Sequence, residues 1–253
     1  MWLLPFRLPT SCDRFRRAIG HLIVLALVSL SAPSLNRAQQ NNSASELLER
    51  FTTTKVFWQQ FEAARKIVEL RDPSVLPQLR AWLTDDDRHL RGNAAFIFAG
   101  LGDNRGYEVI AAILNDYSDR AEGQGIPGGR WSLQGQIDAD RYYAVHLLGE
   151  LGEAQTVSML TPLLNDPQVN YKVAWALGEI GGKSAVQSLV GLLYDRSPDV
   201  RVIAIESIGK LDAKEILPIL RPLLDDNERS HFGDLVSVAE AAQAVVTRLE
   251  VKR

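Results

Sequence analysis

One pattern of apolar residues occurs five times along this chain, and it restricts the possible folds more than any other feature. Each copy can be aligned on a reference residue, here called the anchor: Arg71, Gly102, Gly152, Gly181 and Asp212. The residues at offsets −4, −1, +5, +8, +11 and +12 from every anchor are apolar or aromatic, although only 46% of the chain is hydrophobic. No gap is needed within any copy. Self-similarity of this kind is typical of a repeat architecture, in which each copy forms one structural unit.

The spacing predicts two helices in each unit. Offsets −8, −4 and −1 fall on one face of a helix before the anchor, and offsets +5 to +12 fall on one face of a second helix. The three glycine anchors are placed to end the first helix in the left-handed conformation. An aspartate fourteen residues after each anchor is placed to turn the chain and cap the next helix. Both helices are too apolar to be stable alone, so the sequence predicts an all-α fold, an α-solenoid of about five helical hairpins.

The distances between anchors locate an insertion and the two ends of the array. Successive anchors are 31, 50, 29 and 31 residues apart, which predicts an inserted loop at 117–138 between the second and third units. Val246 and Leu249 repeat the spacing of a first helix before Glu250, which predicts a terminal capping helix. Residues 39–56 are predicted to form an N-terminal cap, and the solenoid is predicted to span 57–250. Terminal repeats are atypical because one of their faces meets water.

Residues 1–38 have the pattern of a secretory signal peptide. Four arginines precede the apolar run 22–30, and Ala38 supplies a small residue before a polar stretch. We therefore expect cleavage near Ala38 and a protein that is exported, either periplasmic or secreted. Two alternatives are an uncleaved membrane anchor through residues 20–35 and a buried helix. The apolar run is short for a membrane span, which needs about 20 apolar residues.

The charge of the mature chain argues against nucleic-acid binding. The whole chain has a formal charge of −3, and residues 1–38 hold five basic residues and one acidic residue. The remaining 23 basic and 30 acidic residues give a net charge of −7. Binding to nucleic-acid phosphates depends on Lys and Arg. Cys12 is the only cysteine, so the chain cannot form an internal disulfide or a cysteine-based metal site.

The repeats resemble a known family. The segments 141–152 and 199–211, with their regularly spaced apolar residues and small residues, resemble HEAT repeats. The short units with glycine anchors are similar to the PBS lyase HEAT-like repeats of phycobilisome lyases, over roughly residues 57–250. The resemblance implies a HEAT-like solenoid and says little about activity. Because the repeat is complete and leaves no catalytic residues over, we expect a non-catalytic scaffold or adaptor that binds another protein on its concave face. The alternative is a lyase or isomerase subunit similar to phycobilisome lyases.

Short catalytic motifs are missing from the sequence. Deoxyhypusine hydroxylases, which are HEAT-like di-iron enzymes, rely on His-Glu dipeptides, and no histidine of this chain is followed by glutamate. The segment 123–128 matches the glycine pattern of dinucleotide-binding loops, but no strand is predicted before it. No Gly-x-Ser-x-Gly nucleophile motif is present. The sequence therefore predicts no catalytic residue, no cofactor, no metal site and no enzymatic activity.

Arginines recur eleven residues before the anchor. Arg91, Arg141 and Arg201 occupy this position in units 2, 3 and 5, whereas Gln60 and Asn170 replace arginine in units 1 and 4. One interpretation is an anion-binding stripe. The other is structural, with each arginine paired to an aspartate at a neighbouring helix start, such as Asp85 or Asp195. Because charged residues at regular repeat spacing usually belong to the stack, the structural interpretation is favoured.

A partner-binding surface is predicted on the second helices, which line the concave side of HEAT arrays. Offsets +6 and +9, outside the core pattern, are mostly small and uncharged, and such a surface suits an extended peptide or a helix. The inserted loop should lie at its edge, with Trp131 as a hot-spot residue whose change to alanine weakens binding. The alternative is that Trp131 only fastens the loop to the solenoid. The predicted partner is a protein or peptide, with no nucleic acid and no integral membrane role beyond the signal segment. The residues expected to contact it are Trp131, Arg130, Glu108, Ser158, Gln187 and Arg221.

Overall fold

All the apolar positions of the repeat are buried or half-buried in the computed structural model, which describes residues 44–118, 133–231 and 236–251. The positions at offsets −4 and +8, one from each helix of a unit, have no exposed surface in any unit. Burial of apolar side chains contributes roughly 25 cal/mol per Å² of surface removed from water. The repeated pattern therefore forms one continuous core along the described part of the chain.

The described residues are almost entirely helical. In chain order the α-helices are α1 (44–53), α2 (Phe57–Glu69), α3 (Leu76–Leu79), α4 (Arg88–Gly100), α5 (Arg105–Leu114), α6 (Leu133–Leu151), α7 (Val157–Leu160), α8 (Asn170–Ile180), α9 (Gly182–Val190), α10 (Pro198–Lys210), α11 (Leu217–Leu220) and α12 (Val238–Val251). The first helices of the five units are α2, α4, α6, α8 and α10. The shorter second helices are α3, α5, α7, α9 and α11, and most continue as 3-10 turns, such as Thr161–Asn165 and Gly191–Tyr194. Within the described ranges no strand forms beyond an isolated bridge between Arg229 and Ser237, so the all-α prediction is confirmed.

The first helices of successive units stack directly on one another. A side chain added at Gly149 of α6 would come within 3.0 Å of the Cα atom of Ala176 in α8. A side chain added at Gly178 of α8 would come equally close to the Cα atom of Ser207 in α10. Small residues are needed where helix backbones approach this closely. The repeated stacking of helical hairpins confirms the predicted α-solenoid.

All five anchors adopt the left-handed backbone conformation. The φ angles are 86° at Gly102, 67° at Gly152 and 76° at Gly181, as expected for glycine at the end of a helix. Arg71 and Asp212 have φ angles of 54° and 52°, although a side chain disfavours this conformation. The turn between the two helices is therefore retained in units 1 and 5, which lack the glycine.

Helices α1 and α12 lie at the two ends of the described array. Phe51 of α1 is fully buried and packs edge-to-face on Trp82, with ring centroids 5.5 Å apart. At the other end, Leu249 of α12 has no exposed surface. Residues 133–138, which the sequence assigned to the inserted loop, form the first turns of α6, where Ile137 is buried.

The predicted signal peptide and most of the inserted loop lie outside the described residues. Within the described ranges, none of the helices is both long enough and apolar enough to cross a membrane.

Candidate functional site

The arginine eleven residues before the anchor is a structural residue in unit 3. Arg141 is 3% exposed, and its Nε donates a hydrogen bond to the carbonyl oxygen of Leu114 in the preceding unit, at 3.0 Å. Its Nη2 donates to Oδ2 of Asp166, the aspartate that follows the second helix of the same unit, at 2.6 Å. One guanidinium thus joins the middle of the first helix α6 to the ends of two second helices.

In units 5 and 2 the arginine at this position also donates to a backbone carbonyl of the preceding unit, but at offset +14 and not at offset +12. Arg201 donates from Nη1 to the carbonyl oxygen of Asp195 at 2.7 Å, and its Nε lies 2.9 Å from Oδ2 of Asp226. In unit 2, Arg91 donates to the carbonyl oxygen of Asp85 at 2.6 Å. These contacts confirm the structural interpretation and do not support an anion-binding stripe.

The aspartate of unit 2 is also paired with an arginine, although a different one. Asp116 accepts a hydrogen bond from Nε of Arg88 at 2.6 Å. Partial burial acts to raise the pKa of Asp116, but the hydrogen bonds from Arg88 and Ser118 outweigh it and hold the pKa well below its usual range. Units 2, 3 and 5 therefore each pair the aspartate after the second helix with a guanidinium.

Unit 4 departs from this arrangement because Asn170 stands in place of the arginine. The backbone nitrogen of Asn170 donates to the carbonyl oxygen of Asp166 at 2.8 Å, just as Arg201 N donates to the residue four before it. Asn170 therefore occupies the same place in its helix, but its side chain is shorter. The carboxylate of Asp195 accepts a hydrogen bond from the backbone nitrogen of Ser197, and no lysine or arginine of the described residues forms an ion pair with it.

A groove opens on the surface between units 3 and 4, and we call it the unit 3–4 groove. Its first part lies between the second helices and its second part lies at the starts of α8 and α10; the two parts share Thr161 and Ser188, whose hydroxyl oxygens are 3.2 Å apart. The first part is lined by Ala154, Gln155, Val157, Ser158, Ser184 and Gln187. The second part is lined chiefly by Leu164, Asn165, Pro167, Asn170, Tyr171, Tyr194, Asp195, Arg196 and Asp199.

The groove brings together two of the residues predicted to bind a partner, Ser158 and Gln187, and both are exposed. Glu108 on α5 and Arg221 after α11 are also exposed but do not line it, and Arg221 lies 3.3 Å from Glu250. Trp131 and Arg130 lie outside the described residues.

The second part of the groove was not predicted from the sequence. Tyr194, 64% exposed, lies at its edge, and Asp195 lies beside it. Asn170 in place of an arginine was the signal that could have located this part. Unit 4 lacks the arginine side chain that fills this position in units 2, 3 and 5.

The groove carries a small excess of negative charge. Its lining includes the carboxylates of Asp195 and Asp199 and the guanidinium of Arg196. Burial acts to raise the pKa of Asp199, but hydrogen bonds from Ser230 and His231 outweigh it and lower the pKa. Burial and the neighbouring Tyr142 raise the pKa of Tyr171, so this ring stays neutral. The surface is therefore made of hydroxyl, amide and carboxylate groups beside exposed aromatic rings.

A separate polar cluster on the first helices surrounds Lys172. This lysine is 6% exposed, and its Nζ lies 3.3 Å from Nδ1 of His146 and 3.4 Å from the centroid of the Trp175 ring. Burial lowers the pKa of Lys172 to about 7, and the carboxylates of Glu150 and Glu179 only partly offset this change. Burial, together with Lys172 and Arg65, lowers the pKa of His146 to about 3. The surroundings of Lys172 therefore favour the neutral amine over the charged ammonium group.

We expect Lys172→Met to raise the free energy of unfolding near pH 7 by about 2 kcal/mol, because burial disfavours the charged amine and the contact with Trp175 offsets only part of that cost. The unfolded chain restores a pKa near 10.5 and binds the proton more tightly than the folded protein. Wild-type stability should therefore rise between pH 7 and pH 10, and the variant should lose this rise. Urea titrations at both pH values measure it. Lys66→Met, at an exposed position of α2, is the matched control. Equal changes in the free energy of unfolding for the two variants, at pH 7 and at pH 10, would contradict the prediction.

No group of three or more metal-ligating side chains occurs in the parts of the chain that the structure describes.

Comparisons with known proteins identify the repeats. The family model described as "HEAT repeats" matches residues 133–201, and the model described as "PBS lyase HEAT-like repeat" matches residues 200–226. Together the two segments cover 133–226 without a gap, and they contain the helices of units 3, 4 and 5, from α6 to α11. Residues 133–226 of this chain are therefore similar to HEAT repeats of this short-unit type, and the described part of the chain is built as an α-solenoid.

The curated relatives are enzymes by name. Deoxyhypusine hydroxylase of Gallus gallus is 30% identical over 114 residues, which are 44% of this chain and 36% of that protein. The enzyme of the same name from Candida albicans is 31% identical over 93 residues, or 35% of this chain and 29% of that protein. The chain thus matches about a third of the length of these relatives.

Solved structures with a similar helical arrangement include the complex of CpcE and CpcF, a phycocyanin lyase from a Nostoc species. It is 16% identical, with a TM-score of 0.41, over 92% of this chain and 100% of that chain. An engineered protein is 19% identical, with a TM-score of 0.42, over 83% of this chain and 97% of that chain.

The prediction that this chain has no enzymatic character is contradicted by its similarity to deoxyhypusine hydroxylases. The prediction rested on the absence of short sequence motifs. In a solenoid, side chains of one site come from neighbouring units that are about thirty residues apart in sequence. The absence of local motifs is therefore a poor guide to whether a protein of this fold is similar to enzymes.

Proposed function

We propose that this chain is a protein-binding HEAT-repeat module that holds an extended segment of a partner protein in the unit 3–4 groove. The observation that carries the proposal is that the two parts of the groove are continuous. The first part contains Ser158, Thr161, Gln187 and Ser188, and the second part contains Tyr194. Repeat solenoids commonly use extended surfaces of this kind for binding.

The chemistry of the groove fits the main chain of an extended peptide. Hydroxyl and amide side chains both donate and accept hydrogen bonds, so they can pair with the N–H and C=O groups that an extended segment leaves free. The exposed ring of Tyr194 supplies an aromatic contact, and tyrosine is enriched among the residues that dominate binding energy. By resemblance to HEAT arrays, this face of the second helices would be the concave one.

We also propose that the chain acts after export. The proposal is supported by the basic and apolar pattern of residues 1–38 and by the net charge of −7 that their removal leaves.

Selection from a random peptide library provides ligands that test the groove. The full chain is immobilised, peptides are selected, and their dissociation constants are measured for the wild type and for Gln187→Arg. A long charged side chain at Gln187 would occupy the groove, so we expect affinity to fall about tenfold or more, equivalent to at least 1.4 kcal/mol.

Gln243→Arg, at an exposed position of α12, is the matched control and should bind the peptides as the wild type does. Equal affinities for the wild type and Gln187→Arg would contradict the proposal, and so would failure to select any peptide.

A further inference from the structure

The second part of the unit 3–4 groove lies where units 2, 3 and 5 place an arginine. In unit 3 the guanidinium of Arg141 contacts the carbonyl oxygen at offset +12 of the preceding unit and the aspartate at offset +14 of its own unit. In unit 4 the equivalent residues are Leu164 and Asp195, and both line the groove together with Asn170. Unit 4 therefore keeps the two residues that supply the hydrogen-bond acceptors, but it lacks the arginine that would donate to them.

We propose that this part of the groove binds an arginine side chain of the partner protein, whose guanidinium takes the place that Arg141 occupies in unit 3. The proposal rests on the proposed function and specifies the partner's chemistry. The partner's guanidinium would donate to the carboxylate of Asp195 and to the carbonyl oxygen of Leu164, repeating the two contacts of Arg141.

Charge supports a cationic ligand. The carboxylate of Asp195 receives a hydrogen bond only from the backbone of Ser197 among the described residues and is not neutralised by an ion pair there. Arg196 lines the same groove, but no ion pair joins it to Asp195 within the described part of the chain. With Asp199 also in the lining, the groove has two carboxylates against one cation.

Shape and aromatic contacts favour arginine over lysine. A guanidinium is planar and presents several N–H groups in a fixed arrangement, so it can donate to a carboxylate and a carbonyl at once. It also packs well on aromatic faces. In unit 3 the guanidinium carbon of Arg141 lies 5.1 Å from the centroid of the Tyr117 ring, and in unit 4 the rings of Tyr171 and Tyr194 border the groove.

Binding of three synthetic peptides to the full chain tests the inference. Each has nine residues of glycine and serine with one central residue, which is arginine, lysine or the uncharged arginine analogue citrulline. NMR titration of ¹⁵N-labelled protein measures the affinity and identifies the amides that shift. We expect the arginine peptide to shift the amides of Asn165 and Asp195, and the citrulline peptide to bind about tenfold more weakly, as expected for the loss of a charge-assisted hydrogen bond.

Two variants complete the experiment. Asp195→Asn should reduce the affinity for the arginine peptide to that for the citrulline peptide. Asn170→Arg should abolish binding because its own side chain fills the site, whereas Asn104→Arg, an exposed asparagine on unit 2, should bind normally. Equal affinities for the arginine and citrulline peptides, shifts confined to other surfaces, or no binding at about 10 mM would overturn the inference. The proposed function would then still stand if library peptides depended on Gln187.

Discussion

Replacing Arg141 by alanine should lower the free energy of unfolding by about 3 kcal/mol, the cost expected when one partner of a buried ion pair is removed. The change leaves the carbonyl oxygen of Leu114 and the carboxylate of Asp166 without their donor, and it empties the space of a side chain that is 3% exposed. Asp166 is partly exposed, so water compensates for some of the loss and keeps the cost at the lower end of the range. Urea unfolding followed by circular dichroism measures it.

The matched control is Arg221→Ala. Arg221 lies 3.3 Å from Glu250, but both side chains are well exposed, and exposed ion pairs contribute about 0–1 kcal/mol. Similar losses for the two variants would show that Arg141 does not hold units together and would remove the template from which the arginine site in unit 4 is inferred.

Replacing Gly106 by alanine should cost about 3 kcal/mol or more, because α4 and α5 leave no room for a Cβ atom. A Cβ atom there would overlap the carbonyl oxygen of Ala95 and the backbone nitrogen of Ala99. Both clashes are with helix backbone, so no side-chain rotation relieves them. The two helices of unit 2 would have to move apart, and thermal unfolding should show a lower melting temperature.

Gly191→Ala is the control for this substitution. Gly191 has a φ angle of −61° and open space around its Cβ position, so alanine fits without strain. By reducing the freedom of the unfolded chain, it should leave stability unchanged or raise it by up to about 1 kcal/mol. Equal melting temperatures for the two variants would contradict the close packing of α4 on α5.

The core and the turns of this protein could be predicted from the sequence because they depend on residues close together along the chain. The apolar offsets around each anchor specify two helix faces, and the glycine at Gly102, Gly152 and Gly181 specifies the end of the first helix. The left-handed conformation of Arg71 and Asp212 was not predicted, because neither position carries the glycine on which that prediction rested. Agreement among five copies made these predictions reliable.

The groove could not be predicted in the same way because it arises from a difference between units. The search for a common pattern treated Asn170 as an exception to the arginines, whereas the space it leaves defines the second part of the groove. The contacts of Lys172 with His146 likewise join two helices whose residues are 26 apart in sequence. The similarity to deoxyhypusine hydroxylases was set aside because the chain lacks His-Glu dipeptides, whereas the similarity extends over about a hundred residues and does not depend on that motif.

The melting temperature of Asn170→Arg tests most directly the claim that the unit 3–4 groove contains a vacant arginine position. If Leu164 and Asp195 are placed to accept a guanidinium, the new side chain should stabilise the protein by about 1 kcal/mol, a rise of roughly 2–4 °C for a domain of this size. Asn104→Arg, which is exposed, should change the melting temperature by less than about 1 °C. A fall of several degrees for Asn170→Arg would contradict the account, because it would show that unit 4 has no room or no acceptors for an arginine.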